Sequence, residues 1–217
     1  MRKAVNVLSE IRMTFEKRGR AVFLSHLDLM HVLQRSFSRA GVRCVYSGGF
    51  NPHMQLTLPL PLPLGHEGQN EILEAFLEED LPASGLPGLI NPFLPDGILI
   101  NEACLPLRKL SEMAFADYLV SFDKTTVPLD EMASYLSSES VVVLKRTKRG
   151  EAMTDIRPDI HGVSVENAGL SLLLTASQSA NLNPVFALAA VQERFGFTFS
   201  NPRYVRRAIL TAERAVF

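Results

Sequence analysis

From Leu29 the apolar residues recur at Val32, Leu33, Phe37 and Ala40, the three- and four-residue spacing of a helix with one buried face. In front of them Ser25-His26-Leu27-Asp28 has the form of an N-cap with an acidic residue three positions on. This variant of the capping box satisfies otherwise orphaned amide donors. Gly41 behind them suits the C-cap. Gln34, Arg35, Ser38 and Arg39 fall mostly off the apolar stripe, so two guanidinium groups stand on consecutive turns.

Around this helix the pattern shortens. Ile11 to Leu24 reads as extended chain broken by a charged turn at Glu16-Lys17-Arg18-Gly19-Arg20, and Val42 to Tyr46 as a short strand. Ser47-Gly48-Gly49-Phe50-Asn51-Pro52-His53 is a loop by composition, because paired glycines permit positive φ and Asn-Pro favours a turn. The alternating leucines and prolines up to Leu64 cannot sit in a central ladder, since proline lacks the amide donor. An edge strand passing into polyproline-like extension is expected instead. Asn70 to Phe76 alternates as a strand does, Leu86 to Phe93 suggests a distorted helix, and Ile98-Leu99-Ile100 begins a further strand.

The second half repeats this order. Ala114 to Phe122 is strand-like, Pro128 to Leu136 helical and Val141 to Arg146 a strand, with weaker extended pieces at Met153 to Ile156 and Gly162 to Val165. Leu170 to Thr175 is a strand, Asn183 to Phe195 a helix with Pro184 at its first position, and Arg203 to Leu210 the last strand. The repetition predicts an α+β protein of two tandem ferredoxin-like (split βαβ) units, residues 1–110 and 111–217, each with helices on one face of an antiparallel sheet. A single mixed α+β domain is the alternative.

Composition adds a qualification. The 217 residues carry a net charge of only -1, with 47% hydrophobic and 21% charged residues, enough apolar content for one large core or two smaller ones. The charge is nevertheless segregated. Residues 1–43 sum to +6, residues 44–140 to -11 and residues 141–217 to +4, so near-neutrality is an average over unequal pieces. No apolar run is long enough to span a bilayer, and the start at Met1-Arg2-Lys3 turns polar too soon for a signal peptide, so a cytoplasmic protein without membrane contact is expected. Cys44 and Cys104 are the only cysteines and cannot form a disulfide framework or a four-thiolate cluster.

Candidate chemistry follows from the basic segments. Lys17, Arg18, Arg20, Arg35, Arg39 and Arg43 lie on neighbouring predicted elements, and if they converge they make a phosphate-binding surface. Lys145, Arg146, Lys148, Arg149, Arg157, Arg203, Arg206 and Arg207 could extend it. The alternative is a set of solvated charged faces. Gly48 and Gly49 expose backbone amides and Asn51 offers an amide side chain, which suits phosphate or partner recognition. Tyr46 and Phe50 are the best-placed stacking aromatics. His26 sits in the first helical turn, where the helix dipole favours neutral imidazole, a form usable as a base, and His53 and His66 lie in loops that could approach it. No histidine pair has the i, i+4 spacing of a helical zinc motif, and no metal site is expected.

Phe23-Leu24-Ser25-His26-Leu27-Asp28-Leu29-Met30, the Ser47 to His53 loop and the Pro-Leu-Pro-Leu-Gly stretch ending at Gly65 together resemble the radical SAM-linked protein family, the domain of unknown function numbered 2344. Thr154-Asp155-Ile156-Arg157-Pro158, Asn181-Leu182-Asn183-Pro184 and Val205-Arg206-Arg207 resemble its C-terminal features. The resemblance implies a partner, a radical SAM protein that often carries a cobalamin-binding region, and a link to RNA modification or ribosome biology. No CxxxCxxC motif occurs here, so the iron-sulfur cluster and S-adenosylmethionine are expected in that partner and no cofactor in this chain. The leading expectation is a non-catalytic, RNA-binding accessory module presenting substrate to a radical SAM enzyme. Two alternatives stand beside it: a protein-interaction adaptor whose acidic middle, with Glu71, Glu74, Glu78 and Glu79, docks a basic partner, and a metal-free endoribonuclease using His26, His53 and His66.

Overall fold

The computed structural model describes residues 9–123, 128–147, 150–166, 169–196 and 199–217. The fold is mixed α/β, built on antiparallel strands with four α-helices among the described residues, and the chain divides into two compact units, Met1–Leu110 and Ser111–Phe217. Among the described residues no helix is long and apolar enough to cross a membrane.

In the first unit, β1 (Ser9–Lys17) leads to α1 (His26–Arg39), and β2 (Leu56–Thr57) and β3 (Glu67–Leu77) to α2 (Leu86–Ile90) and β4 (Ile98–Cys104). β1 pairs antiparallel with β3 on one side and β4 on the other, and β2 pairs with β3, which gives the order β4-β1-β3-β2. Ile11, Met13 and Phe15 alternate along β1 and join one buried cluster with Leu29, Leu33 and Phe37 of α1 and Leu86 and Ile90 of α2. The helix thus begins and ends where its sequence says it should. Ser25 Oγ accepts the Asp28 amide at 3.2 Å, and past the last turn Gly41 takes φ +73°, a backbone state that favours glycine.

In the second unit, β5 (Met113–Ser121), α3 (Leu129–Leu136), β6 (Val142–Thr147), β7 (Gly150–Asp155), β8 (Ile160–Glu166), β9 (Gly169–Thr175), α4 (Pro184–Phe195) and β10 (Arg203–Thr211) follow in turn. Four of these strands lie in the order β10-β5-β9-β8, all pairs antiparallel, and β6 and β7 form a separate hairpin. α4 opens on the Asn183 cap, whose Oδ1 accepts the Val185 amide at 3.0 Å, with Pro184 in the first position. Tyr118, Val120, Leu170, Leu172 and Leu174 are buried on the strands and Met132, Leu136, Leu188 and Val191 on the helices.

Two segments depart from the pattern reading. Residues 19 to 23 are not extended but form a 3-10 turn, closed by Ala21 N–H to Arg18 O and Leu24 N–H to Ala21 O, while Val22 O accepts Gly65 N–H at 2.9 Å. The hydrogen-bonding groups that a strand needs are spent locally. Val42 to Tyr46 makes only single bridges, Cys44 to Leu77 and Tyr46 to Met54. The edge of β3 at Ala75 and Glu74 is already taken by Leu56 and Thr57, so this segment passes the end of the strand instead of pairing along it. The residues expected to form the Leu-Pro extension do leave the ladder after Thr57.

Candidate functional site

The cationic face of α1 borders a concavity of the first unit. Gln34, Arg35, Ser38 and Arg39 from the helix, with Tyr46 and the Pro52-His53-Met54 end of the loop, line a groove of about 440 Å³. A second groove, about 360 Å³, runs along the other flank of the same helix and is lined by Val32, Arg35, Ser36 and Arg39 against Pro92, Phe93, Leu94 and Pro95. Arg35 and Arg39 are the shared wall. Both are exposed, and neither forms an ion pair with a carboxylate among the described residues. The Arg39 guanidinium lies 5.5 Å from the Phe93 ring centroid, within cation–π range.

The loop that forms the far side is closed by its own ends. Ser47 N–H donates to His53 O at 2.8 Å, Ser47 Oγ accepts the His53 amide at 3.1 Å, and the same oxygen is 2.8 Å from His53 Nδ1. Gly49 at the tip has φ +112°, where a side chain is strained. Gly48, Gly49 and Asn51 are exposed there, and Phe50 stands fully in solvent. Beneath the loop Cys44 is buried, and burial together with the nearby Glu78 carboxylate pushes its thiol up to about 12. It is therefore no nucleophile at neutral pH.

The structure sorts the candidate cations by what they touch. Lys17 is 1% exposed and donates to Leu24 O at 3.1 Å, so it is a structural ammonium and not part of a phosphate surface. β1 turns its side chain inward on the face that also carries Ile11, Met13 and Phe15, a direction fixed by the two-residue strand period. Arg18 is exposed but paired with Glu16 at 3.2 Å, and Arg43 is paired with Glu79. Arg20 is exposed, on the 3-10 turn.

In the second unit Arg206 is fully buried, near the Tyr118 hydroxyl at 3.4 Å, which removes it from any nucleic-acid surface. Arg207 is held by Asp117 at 2.8 Å and by Glu166 at 2.8 Å. The Asp117 hydrogen bonds, then those of Glu166, hold its guanidinium above its usual range. Arg157 donates to Ser138 O and Ile160 O, Arg203 pairs with Asp123, and Lys145 sits over Phe186. Lys148 and Arg149 lie outside the described residues.

The three histidines do not assemble. His53 borders the groove beside residues 34 to 39 of α1, roughly 12 to 20 Å along the helix axis from His26 at a rise of 1.5 Å per residue. His66 is 3% exposed. Nor do the acidic residues make one surface: Glu71 and Glu74 are buried, and Glu74 binds Arg12 across the β1–β3 pair. Among the described residues no cluster of three metal-ligating side chains occurs.

Sequence reasoning missed Phe93 and the Pro92 to Pro95 turn as part of the site. The one available signal was an aromatic between two prolines at the end of a distorted helix. Its position against α1 comes from a tertiary contact, Ser36 Oγ donating to Phe93 O at 2.9 Å.

The family model described as an uncharacterized protein conserved in bacteria, DUF2344, matches residues 10–184. No curated protein matches the sequence. Among solved structures, a chain from the crystal structure of a Cbf5-Nop10-Gar1 complex is similar at 10% identity with a TM-score of 0.43, over 90% of this chain and 48% of that one. This chain thus spans about half the length of the one it resembles, and the likeness is too distant to carry an argument.

Proposed function

Given that the chain belongs to the DUF2344 family, we propose that it is an RNA-binding accessory module that presents its substrate to a separate radical SAM enzyme. The observation that carries the RNA-binding part is the pair Arg35 and Arg39: exposed, without carboxylate partners among the described residues, and bordering a groove with Tyr46 and His53. Unpaired guanidinium groups offer bidentate donors to phosphate without first breaking an ion pair. Each unit is read as a split βαβ, ferredoxin-like fold, a reading supported by the strand orders β4-β1-β3-β2 and β10-β5-β9-β8, in which β8 takes the role that β2 takes in the first unit. The radical SAM partnership is supported by the motif resemblance alone, and with it the expectation that the iron-sulfur cluster and S-adenosylmethionine are supplied by the partner.

Titrating labelled cellular RNA with the full chain at several salt concentrations tests the reading. Binding is expected to weaken with salt, and the double variant Arg35→Glu/Arg39→Glu to lose most affinity and flatten the salt dependence. Affinity unchanged by that double reversal overturns this site. Recovery of a radical SAM protein with the tagged chain from cells tests the partnership separately.

A further inference from the structure

We infer, building on the RNA-binding reading above, that the ligand of this face is a single strand of RNA that runs along α1 over Arg35 and Arg39, with an unpaired base entering each of the two flanking grooves. The two arginines are four residues apart, so they stand roughly 6 Å apart along the helix axis, and each borders both grooves. A backbone laid along this ridge meets both charges while its bases fall to either side. Each groove also holds an aromatic ring. Tyr46 is 51% exposed in the first, and Phe93 in the second already carries the Arg39 guanidinium at 5.5 Å, a stack that a base can extend.

The charge inventory separates a single strand from a duplex. Of the six basic candidates in the first unit, Lys17 is buried, Arg18 and Arg43 are paired with Glu16 and Glu79, and Arg20 stands on the 3-10 turn and lines neither groove. What is left at the grooves is two cations, too few for the rows of phosphate and 2′-hydroxyl contacts by which double-stranded RNA is held. Paired and stacked bases also cannot enter concave grooves on both sides of a ridge, whereas unpaired bases can be splayed and stacked on side chains. An acidic peptide would satisfy the arginines but leave both rings without a planar partner.

The test compares three labelled probes against the full chain by fluorescence anisotropy: a single-stranded RNA of about ten nucleotides, within the site sizes of single-strand binders, its perfect duplex, and a peptide of alternating Glu and Gly. The single strand is expected to bind at least about tenfold more tightly than the duplex, with a log–log salt slope of about -1.4, the value for two phosphate contacts on a single strand. Tyr46→Ala and Phe93→Ala are each expected to lower single-strand affinity by roughly tenfold, leaving that slope unchanged. Tyr46→Phe, which keeps the ring and the fold, is expected to keep the affinity, and loss of binding in this variant overturns the stacking role. Equal or tighter binding of the duplex overturns the single-strand inference while leaving RNA binding in place. Binding of neither RNA overturns both, and preferential binding of the peptide replaces RNA with an acidic protein partner and overturns both as well.

Discussion

Ser47 Oγ bonds to both the backbone amide and the ring Nδ1 of His53, at 3.1 and 2.8 Å. One hydroxyl therefore joins the two ends of the glycine-containing loop and orients the imidazole at the rim of the larger groove. A serine and a histidine six residues apart suggest chemistry when read as separate letters. In the fold they are a clasp.

Removing that hydroxyl is expected to loosen the loop more than the protein. Ser47→Ala should cost about 1 kcal/mol, the ordinary net worth of such hydrogen bonds, while a Ser47→Ala/His53→Ala double variant should cost less than the sum of the single variants. Urea unfolding of all four proteins measures the coupling, and strictly additive losses would show that the two side chains are independent.

The buried pair Arg12–Glu74 is expected to behave differently. Arg12 Nε and Nη2 bind Glu74 Oε1 at 3.0 and 2.5 Å, and Nη2 also donates to Arg108 O at 2.8 Å. Arg12→Met leaves a buried carboxylate unpaired and should lose about 3–5 kcal/mol, whereas Arg12→Met/Glu74→Leu should recover most of that loss. Chemical denaturation is the readout. A double variant as unstable as the single one would refute the account.

Lys17 and Arg206 should separate from Arg35 and Arg39 in a binding assay. The first two are buried, so Lys17→Ala is expected to lower stability by about 1–3 kcal/mol through an unanswered carbonyl and lost packing, with RNA affinity of the folded fraction unchanged. Arg35→Ala should do the reverse, within about 0.5 kcal/mol of the parent stability. A Lys17 variant that keeps its melting temperature but loses RNA would place Lys17 back on the surface.

Acidification should weaken the second unit in two stages. Burial holds His161 below its ordinary 6.5, with Arg214 and Arg157 assisting and Asp159 opposing. The unfolded chain then binds this proton first, and stability falls as the pH drops from about 6.5 to the lowered folded value, below which this contribution is constant. Asp155 is held below its ordinary 3.8 by the amides of Arg157 and Val141. Its contribution is present above that value and is lost as the pH falls through the folded one. Melting curves at successive pH values should show the upper stage vanish in His161→Gln; an unchanged profile would assign it to another group.

Much of this architecture was legible because local rules sufficed. The stripe Leu29, Leu33, Phe37 with Ser25 and Gly41 at its ends specifies α1, since capping and a 3.6-residue period depend only on near neighbours. The Leu-Pro stretch had to leave the ladder because proline has no amide to give. Where the sequence reading failed, a distant partner decided wholly or in part. Residues 42 to 46 have strand-like composition, but the edge of β3 was occupied by Leu56 and Thr57, and the chain between Lys17 and Leu24 turned because its carbonyls bonded within the turn and to Gly65.

For the site, the sequence by itself determined which residue types stand on which face of α1 and that the Ser47 to His53 segment is a loop. Only the tertiary structure decided which charges are free. Lys17 and Arg39 have the same formal charge, yet strand alternation turns one into the core while helical spacing leaves the other at a groove. Charge is a property of the letter, but its availability depends on burial and on which carboxylate lies within reach, as Glu16 does for Arg18 and Glu79 for Arg43. The Arg43–Glu79 contact joins segments that the chain brings together only when it folds, whereas Glu16 and Arg18 are near neighbours at the end of β1.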